Sequence, residues 1–147
     1  MLSKTMEFSN SVIIRRSRRD VFQFLANAEY LPMWNHAVTS ARQLTPGSVA
    51  VGTRLRLTRS IPQSATDELE VVDLDDERRL VLRGDVGPLT GTLTYQLDEV
   101  PEGTRLTNAA NLTARGPLRL LSAIAEPRVR AAVALNLERL RQVLERG

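Results

Sequence analysis

A double change of hydrophobic period restricts this chain more than any other feature. Six segments between residues 36 and 114 place apolar side chains at every second position: HAVTSARQL, GTRLRLTRS, ATDELEVVDL, RRLVLRG, LTGTLTYQLDE and GTRLTNAANLTA. Period two is the mark of strands with one buried face. The connections TPGSVAVG, IPQS, DDE, DVGP and VPEG are short and rich in turn-forming residues. Such loops join antiparallel neighbours, so this half of the chain is predicted to be a meander.

The flanks follow other periods. MEFSNSVIIR, residues 6–15, puts Phe8, Val12 and Ile14 on one face and predicts an opening strand. Ser17 followed by Asp20 has the form of a capping box, so a helix should begin near Arg18, with Val21, Phe22, Leu25 and Ala28 on its apolar stripe. Pro32 disfavours helix at Leu31 and limits the run, which leaves a short second turn over Ala28 to Trp34. From Gly116 the period is helical again. Val129, Val133, Leu137, Leu140 and Leu144 form a stripe, while Arg130, Glu138, Arg141 and Glu145 mostly take the other side. Pro127 is expected to break or kink this run, separating PLRLLSAIAE as a lead-in. The predicted order is β-α-α-β6-α: an α+β fold, one curved antiparallel seven-stranded sheet with a long C-terminal helix across it.

At 147 residues this is expected to be a single domain, 1–147, able to bury one core. The chain has no cysteine, which excludes disulfides and thiolate chemistry. No signal peptide and no apolar run of spanning length is read, so the expectation is a cytoplasmic protein without a membrane span. The net charge is +3, and the arginines at 15, 16, 18 and 19 and in residues 115–147 sit apart from the acidic DELEVVDLDDE. No nucleic-acid motif or row of stacking aromatics accompanies them, so the arginines are taken as a solvated surface and nucleic acid is not an expected partner.

NAEYLPMWNHAV, residues 27–38, holds the only tryptophan, the only histidine and one of two tyrosines. His36 is a candidate acid–base residue because imidazole titrates near neutrality, although no neighbouring acid or cysteine partners it in sequence. One histidine without cysteine makes a poor metal shell, and no cofactor is expected. No glycine-rich nucleotide fingerprint and no Ser/His/Asp arrangement occurs.

Several stretches in order resemble one family. RRDVFQFLANAEYLPMWNHAV resembles its Val-Phe, acidic or amide, Leu-Pro and Trp pattern ahead of the second strand. VGTRLRL, ERRLVLRG and GTLTYQLDEVPEGTRLT are similar to its third strand, fifth strand and last hairpin, and LNLERLRQVLE to its closing helix. The chain is thereby identified as resembling the START/Bet v 1-like (SRPBCC) superfamily, and most closely its polyketide cyclase/dehydrase-like bacterial members.

The resemblance implies a helix-grip fold with an apolar cavity between the bent sheet and the long helix, here residues 128–146. Members hold lipids, hormones or polyketides; some cyclise or dehydrate the ligand and others only bind it, so the fold does not choose between them. Trp34 is expected where the short helices meet the second strand, packing that junction and lining the cavity mouth, with Tyr30 and Met33 beside it. If the leucine faces point inward, Asn108 and Tyr95 enter the cavity, Asp67 joins Leu69 and Val71, and Asn136 lies on the apolar side of the closing helix. A one-residue slip in register reverses each of these.

The leading expectation is binding of a hydrophobic or aromatic small molecule, lipid- or polyketide-like. The alternatives are a polyketide cyclase/dehydrase-like enzyme with His36 or Asp67 as base, and a protein-interaction module, with a homodimer left open.

Overall fold

The computed structural model describes residues 5–60, 64–114 and 122–147, with side chains described from residue 126 onward in the last stretch. The elements are β1 (Thr5–Ile14), α1 (Arg18–Ala26), a 3-10 turn (Ala28–Tyr30), α2 (Leu31–Trp34), β2 (Val38–Gln43), β3 (Arg54–Arg59), β4 (Ala65–Asp75), β5 (Arg79–Val86), β6 (Leu89–Val100), β7 (Gly103–Ala114) and α3 (Ser122–Arg146). This is the order expected from the periods. No helix among the described residues is long and apolar enough to cross a membrane.

The short helices are set by local chemistry. The Ser17 side chain accepts from the Asp20 backbone N–H at 3.1 Å and starts α1. The Asp20 carboxylate accepts from Arg16 instead, at 3.2 Å. Asn27 ends α1 and starts the next turn, its Oδ1 accepting from the Glu29 N–H at 3.1 Å. Pro32 therefore stands in the first turn of α2, where its missing N–H costs nothing, and the stop falls earlier, at Asn27. The Asn35 side chain then accepts from the Ala37 N–H and turns the chain into β2.

All seven strands form one sheet in the order β1-β7-β6-β5-β4-β3-β2, each pair antiparallel. The meander runs from β2 to β7, and β1 closes the far edge against β7. Burial on β7 alternates without a slip, so Leu106, Asn108, Ala110 and Leu112 all face the interior. Gly84 and Gly91 sit opposite each other on β5 and β6, with φ of +155° and +152°. A Cβ on Gly91 would lie 2.0 Å from the Asn111 carbonyl oxygen, and one on Gly84 2.3 Å from that of Glu68. Only glycine permits this approach, and it lets neighbouring strands crowd where the sheet bends.

α3 runs unbroken through Pro127, which corrects the expected break. The proline lies near the helix start, where one lost donor is outweighed by the long run that follows. The residues of PLRLLSAIAE ahead of Ser122 lie outside the described residues. Leu137, Leu140 and Leu144 enter the main core, Val129 packs on a second cluster containing Met6, Phe8, Leu89, Ala110 and Leu112, and Val133 packs on both. The helix is tied mainly to the β1 side. The Arg16 guanidinium donates to the Leu144 carbonyl at 2.7 Å, and the Arg15 N–H donates to Glu145 at 2.9 Å.

Candidate functional site

Because α3 lies toward β1, the bent part of the sheet formed by β3 to β6 is roofed instead by the short helices. A cavity of about 150 Å³ lies there. Its floor includes Leu55, Leu57, Leu69, Val71, Leu80 and Leu82, and its roof Leu25, Ala28, Leu31 and Trp34. No described residue of α3 lines it. The cavity thus differs in position from the expected one between the sheet and residues 128–146. The reason is packing, since Leu137, Leu140 and Leu144 fill the space under the helix together with Leu97 and Leu106.

Asn35, Arg59, Asp67 and Tyr95 break the apolar lining. Asp67 on β4 and Arg59 at the end of β3 are diagonal neighbours on the inward face and form an ion pair at 2.5 Å, with side chains 8% and 11% exposed. The same carboxylate oxygen accepts from the Gly87 N–H at 3.3 Å, in the turn between β5 and β6. The Tyr95 ring meets Trp34 edge-on, with centroids 6.4 Å apart. Burial pushes the Tyr95 hydroxyl up to about 12, so it is a neutral donor at physiological pH.

Of the residues singled out in the sequence, Trp34, Asp67 and Tyr95 meet at this cavity. Tyr30 and Met33 do not line it. They are 40% and 45% exposed, with Tyr30 stacked on Phe24 at 4.8 Å. Asn108 is buried beside Tyr95 in register but outside the lining, and neither of its amide atoms has a partner among the described residues. His36 is exposed and turned away from the cavity, paired through Nδ1 with Asn136 Oδ1 at 3.1 Å. Asn136 is buried on the apolar side of α3, as expected, but serves His36.

Arg59 was not among the candidates. It follows Leu55 and Leu57 in alternation, so its inward face was readable from the period, but an arginine ending a strand next to Arg54 and Arg56 looks like surface. Among the described residues no group of three or more His, Asp or Glu is placed to hold a metal ion.

The fold is shared with solved structures at low sequence identity. The di-domain ARO/CYC StfQ from the steffimycin biosynthetic pathway matches with TM-score 0.75 and 16% identity, over 97% of this chain and 51% of that one. The chain therefore spans about half the length of StfQ. TTHA0849 from Thermus thermophilus matches with TM-score 0.76 and 18% identity, over 96% and 97% of the two chains. Ara h 8.0201 matches with TM-score 0.70 and 11% identity, over 98% and 100%. Comparison with curated proteins finds no match. The family model described as polyketide cyclase / dehydrase and lipid transport matches residues 5–145, nearly the whole helix-grip fold, and the chain belongs to that family.

Proposed function

We propose that this protein binds one compact, largely apolar molecule in the cavity roofed by Trp34, oriented by an oxygen that meets the Tyr95 hydroxyl. The observation that carries this reading is the lining: leucines and valines on floor and roof, with Tyr95 a neutral donor that has no hydrogen-bond partner among the described residues. A rigid apolar wall with a few polar groups is what small-molecule sites are made of.

Volume narrows the class. Drug-sized ligands occupy pockets of roughly 300–1,000 Å³, whereas an engineered apolar cavity of roughly 150 Å³ takes benzene. At about 150 Å³, this cavity suits a single ring or a short acyl chain. A polycyclic polyketide would need the walls to part. The contacts we assign to the ligand are Trp34, Tyr95, and the Arg59–Asp67 pair at the polar end.

The cyclase/dehydrase-like alternative has one observation in its favour, the Asp67 carboxylate in the cavity wall. Arg59 holds that carboxylate in an ion pair, and the His36 imidazole is not in the lining, so binding without turnover is the better-supported reading.

The test is titration of the full chain with a set of single-ring phenols and ketones and short fatty acids, followed by Trp34 fluorescence. The reading expects saturable quenching by a single-ring or short-chain compound, weakened about tenfold in Tyr95→Phe, as for loss of one well-made buried hydrogen bond. No response from any compound, or equal binding by Tyr95→Phe, refutes it. Turnover of a cyclisable substrate that disappears in Asp67→Asn would establish the alternative.

A further inference from the structure

The segment that roofs the cavity has a second, chemically different face. Trp34, Asn35, Ala37 and Val38 line the cavity, whereas His36 faces a groove of about 560 Å³ along the outer side of α3. Glu138, Arg139, Gln142 and Arg146 line that groove with it.

The Asn136 contact fixes which ring nitrogen of His36 carries hydrogen when the ring is neutral. Asn136, only 9% exposed, offers Oδ1 both to the His36 backbone N–H at 3.4 Å and to the ring Nδ1 at 3.1 Å. A backbone N–H can only donate, so the atom it meets is the amide oxygen and the orientation of Asn136 is settled. That oxygen can only accept, so Nδ1 carries hydrogen. The neutral ring therefore presents the Nε2 lone pair as its free position.

A guanidinium lines the same groove. Arg139 Nε donates to the Met33 carbonyl at 2.9 Å, which leaves its two Nη groups for other partners. Met33 and His36 are three residues apart on one segment, and Asn136 and Arg139 three apart on α3. The two cross-links run side by side, about one helical turn apart. Glu138, the acid in the groove, is engaged by the Arg141 guanidinium. Arg146 lies two turns beyond Arg139 on the same face, about 10 Å along the axis, with Gln142 between them.

We propose that this groove binds a phosphate-class oxyanion, free or carried as a phosphate ester, with the Arg139 Nη groups and His36 Nε2 as the contact pair and Gln142 and Arg146 flanking them. The locked ring matches phosphate in one of two equivalent ways. A monoanionic phosphate donates its P–O–H to the Nε2 lone pair, or a dianion accepts from Nε2 once the ring has taken a proton. Either complex holds one proton more than the dianion and the neutral ring apart, so binding of the dianion to the neutral ring takes up a proton. The charged groups facing His36 across the groove, Glu138, Arg139 and Arg146, all come from α3. This site is independent of the cavity and does not rest on its ligand.

His36 is the only histidine, so its imidazole gives one unambiguous set of nitrogen resonances in a labelled full-length sample. The probes are inorganic phosphate at constant ionic strength, and vesicles of phosphatidylcholine with or without phosphatidic acid. The free protein should show the Nδ1–H tautomer. Phosphate or the phosphatidic acid vesicles should move Nε2 saturably, and calorimetry in buffers of different ionisation enthalpy should report proton uptake. Arg139→Gln should weaken binding about tenfold, the range of a charge-assisted hydrogen bond. Arg83→Gln, which removes one exposed charge on β5 outside the groove, should leave binding within about twofold. His36→Gln should abolish the proton uptake. A response to phosphate alone identifies a free ligand, and a response to the vesicles alone identifies a lipid headgroup. The proposal is overturned if neither probe moves His36, or if Arg83→Gln weakens binding as much as Arg139→Gln.

Discussion

Asn108 gives the sharpest test of the interior. It is 1% exposed, between Leu106 and Ala110 on the inward face of β7, and neither Nδ2 nor Oδ1 has a partner among the described residues. In register it faces Asn10 on β1 and Tyr95 on β6, and the Asn10 amide donates elsewhere, to the Arg130 carbonyl at 3.2 Å. Each buried polar atom without a partner costs about 1–3 kcal/mol, so the amide carries an upper bound of about 6 kcal/mol. Asn108→Leu keeps the branching and number of heavy atoms while removing both polar atoms. Leucine is bulkier, and fitting it costs about 1–3 kcal/mol in a well-packed core. The net expectation is a gain of about 1–3 kcal/mol. For a domain of this size that is a rise in Tm of roughly 2–10 °C. Urea denaturation with linear extrapolation measures it, and an unchanged m-value confirms that the unfolded state is not the source. A loss of stability at constant m would show the amide to be well paired inside the core, and the reasoning would fail.

Three further outcomes follow from the same structure. Removing Arg59 alone, as Arg59→Met, leaves the Asp67 carboxylate buried without its guanidinium, and should cost about 3–5 kcal/mol. Adding Asp67→Leu should recover most of that loss in a double-mutant cycle, and a purely additive cycle would contradict the pairing. Gly91→Ala should destabilise by at least about 2 kcal/mol, because its Cβ would meet the Asn111 carbonyl oxygen at 2.0 Å; wild-type urea midpoints would refute the close approach. The third outcome is alkaline sensitivity. Above its ordinary value near 10 the unfolded Tyr95 phenol ionises, whereas the folded one stays neutral until about 12. Stability present below pH 10 is therefore lost between about 10 and 12, by roughly 2–3 kcal/mol. Tyr95→Phe should flatten that part of the pH profile, and an unchanged slope would show that the phenol is not the titrating group.

How much of this was legible depends on what kind of order a residue obeys. Alternation along a strand is local, and it grouped Asp67, Tyr95 and Asn108 with the apolar faces of their strands; which face points inward depended on register, and in the sheet all three are buried. The same rule applies to Arg59, which shares the Leu55 and Leu57 face, but an arginine ending a strand reads as surface until its pair with Asp67 on the neighbouring strand is seen. For the short helices the sequence put Tyr30 and Met33 beside Trp34 at the cavity, whereas the cavity is lined by Leu31 and Trp34. A helix of four residues has no longer stripe to decide which side faces inward. The C-terminal stripe showed that α3 buries one side without showing which strands receive it, and the cavity moved to the short helices when β1 took that role. The largest miss concerns His36 and Asn136. Both were candidates for the cavity, yet they meet each other outside it, one hundred residues apart in sequence. That pairing is the consequence of α3 lying where it does, which no local pattern encodes. It also changes what the aromatic-rich stretch at residues 27–38 is for. Trp34 closes an apolar chamber on one side while His36, two residues on, is aimed by α3 into a cationic groove on the other. A single turn of backbone then separates two surfaces of opposite chemistry, and a ligand that displaced Trp34 would have to strain the His36–Asn136 and Met33–Arg139 cross-links to do it.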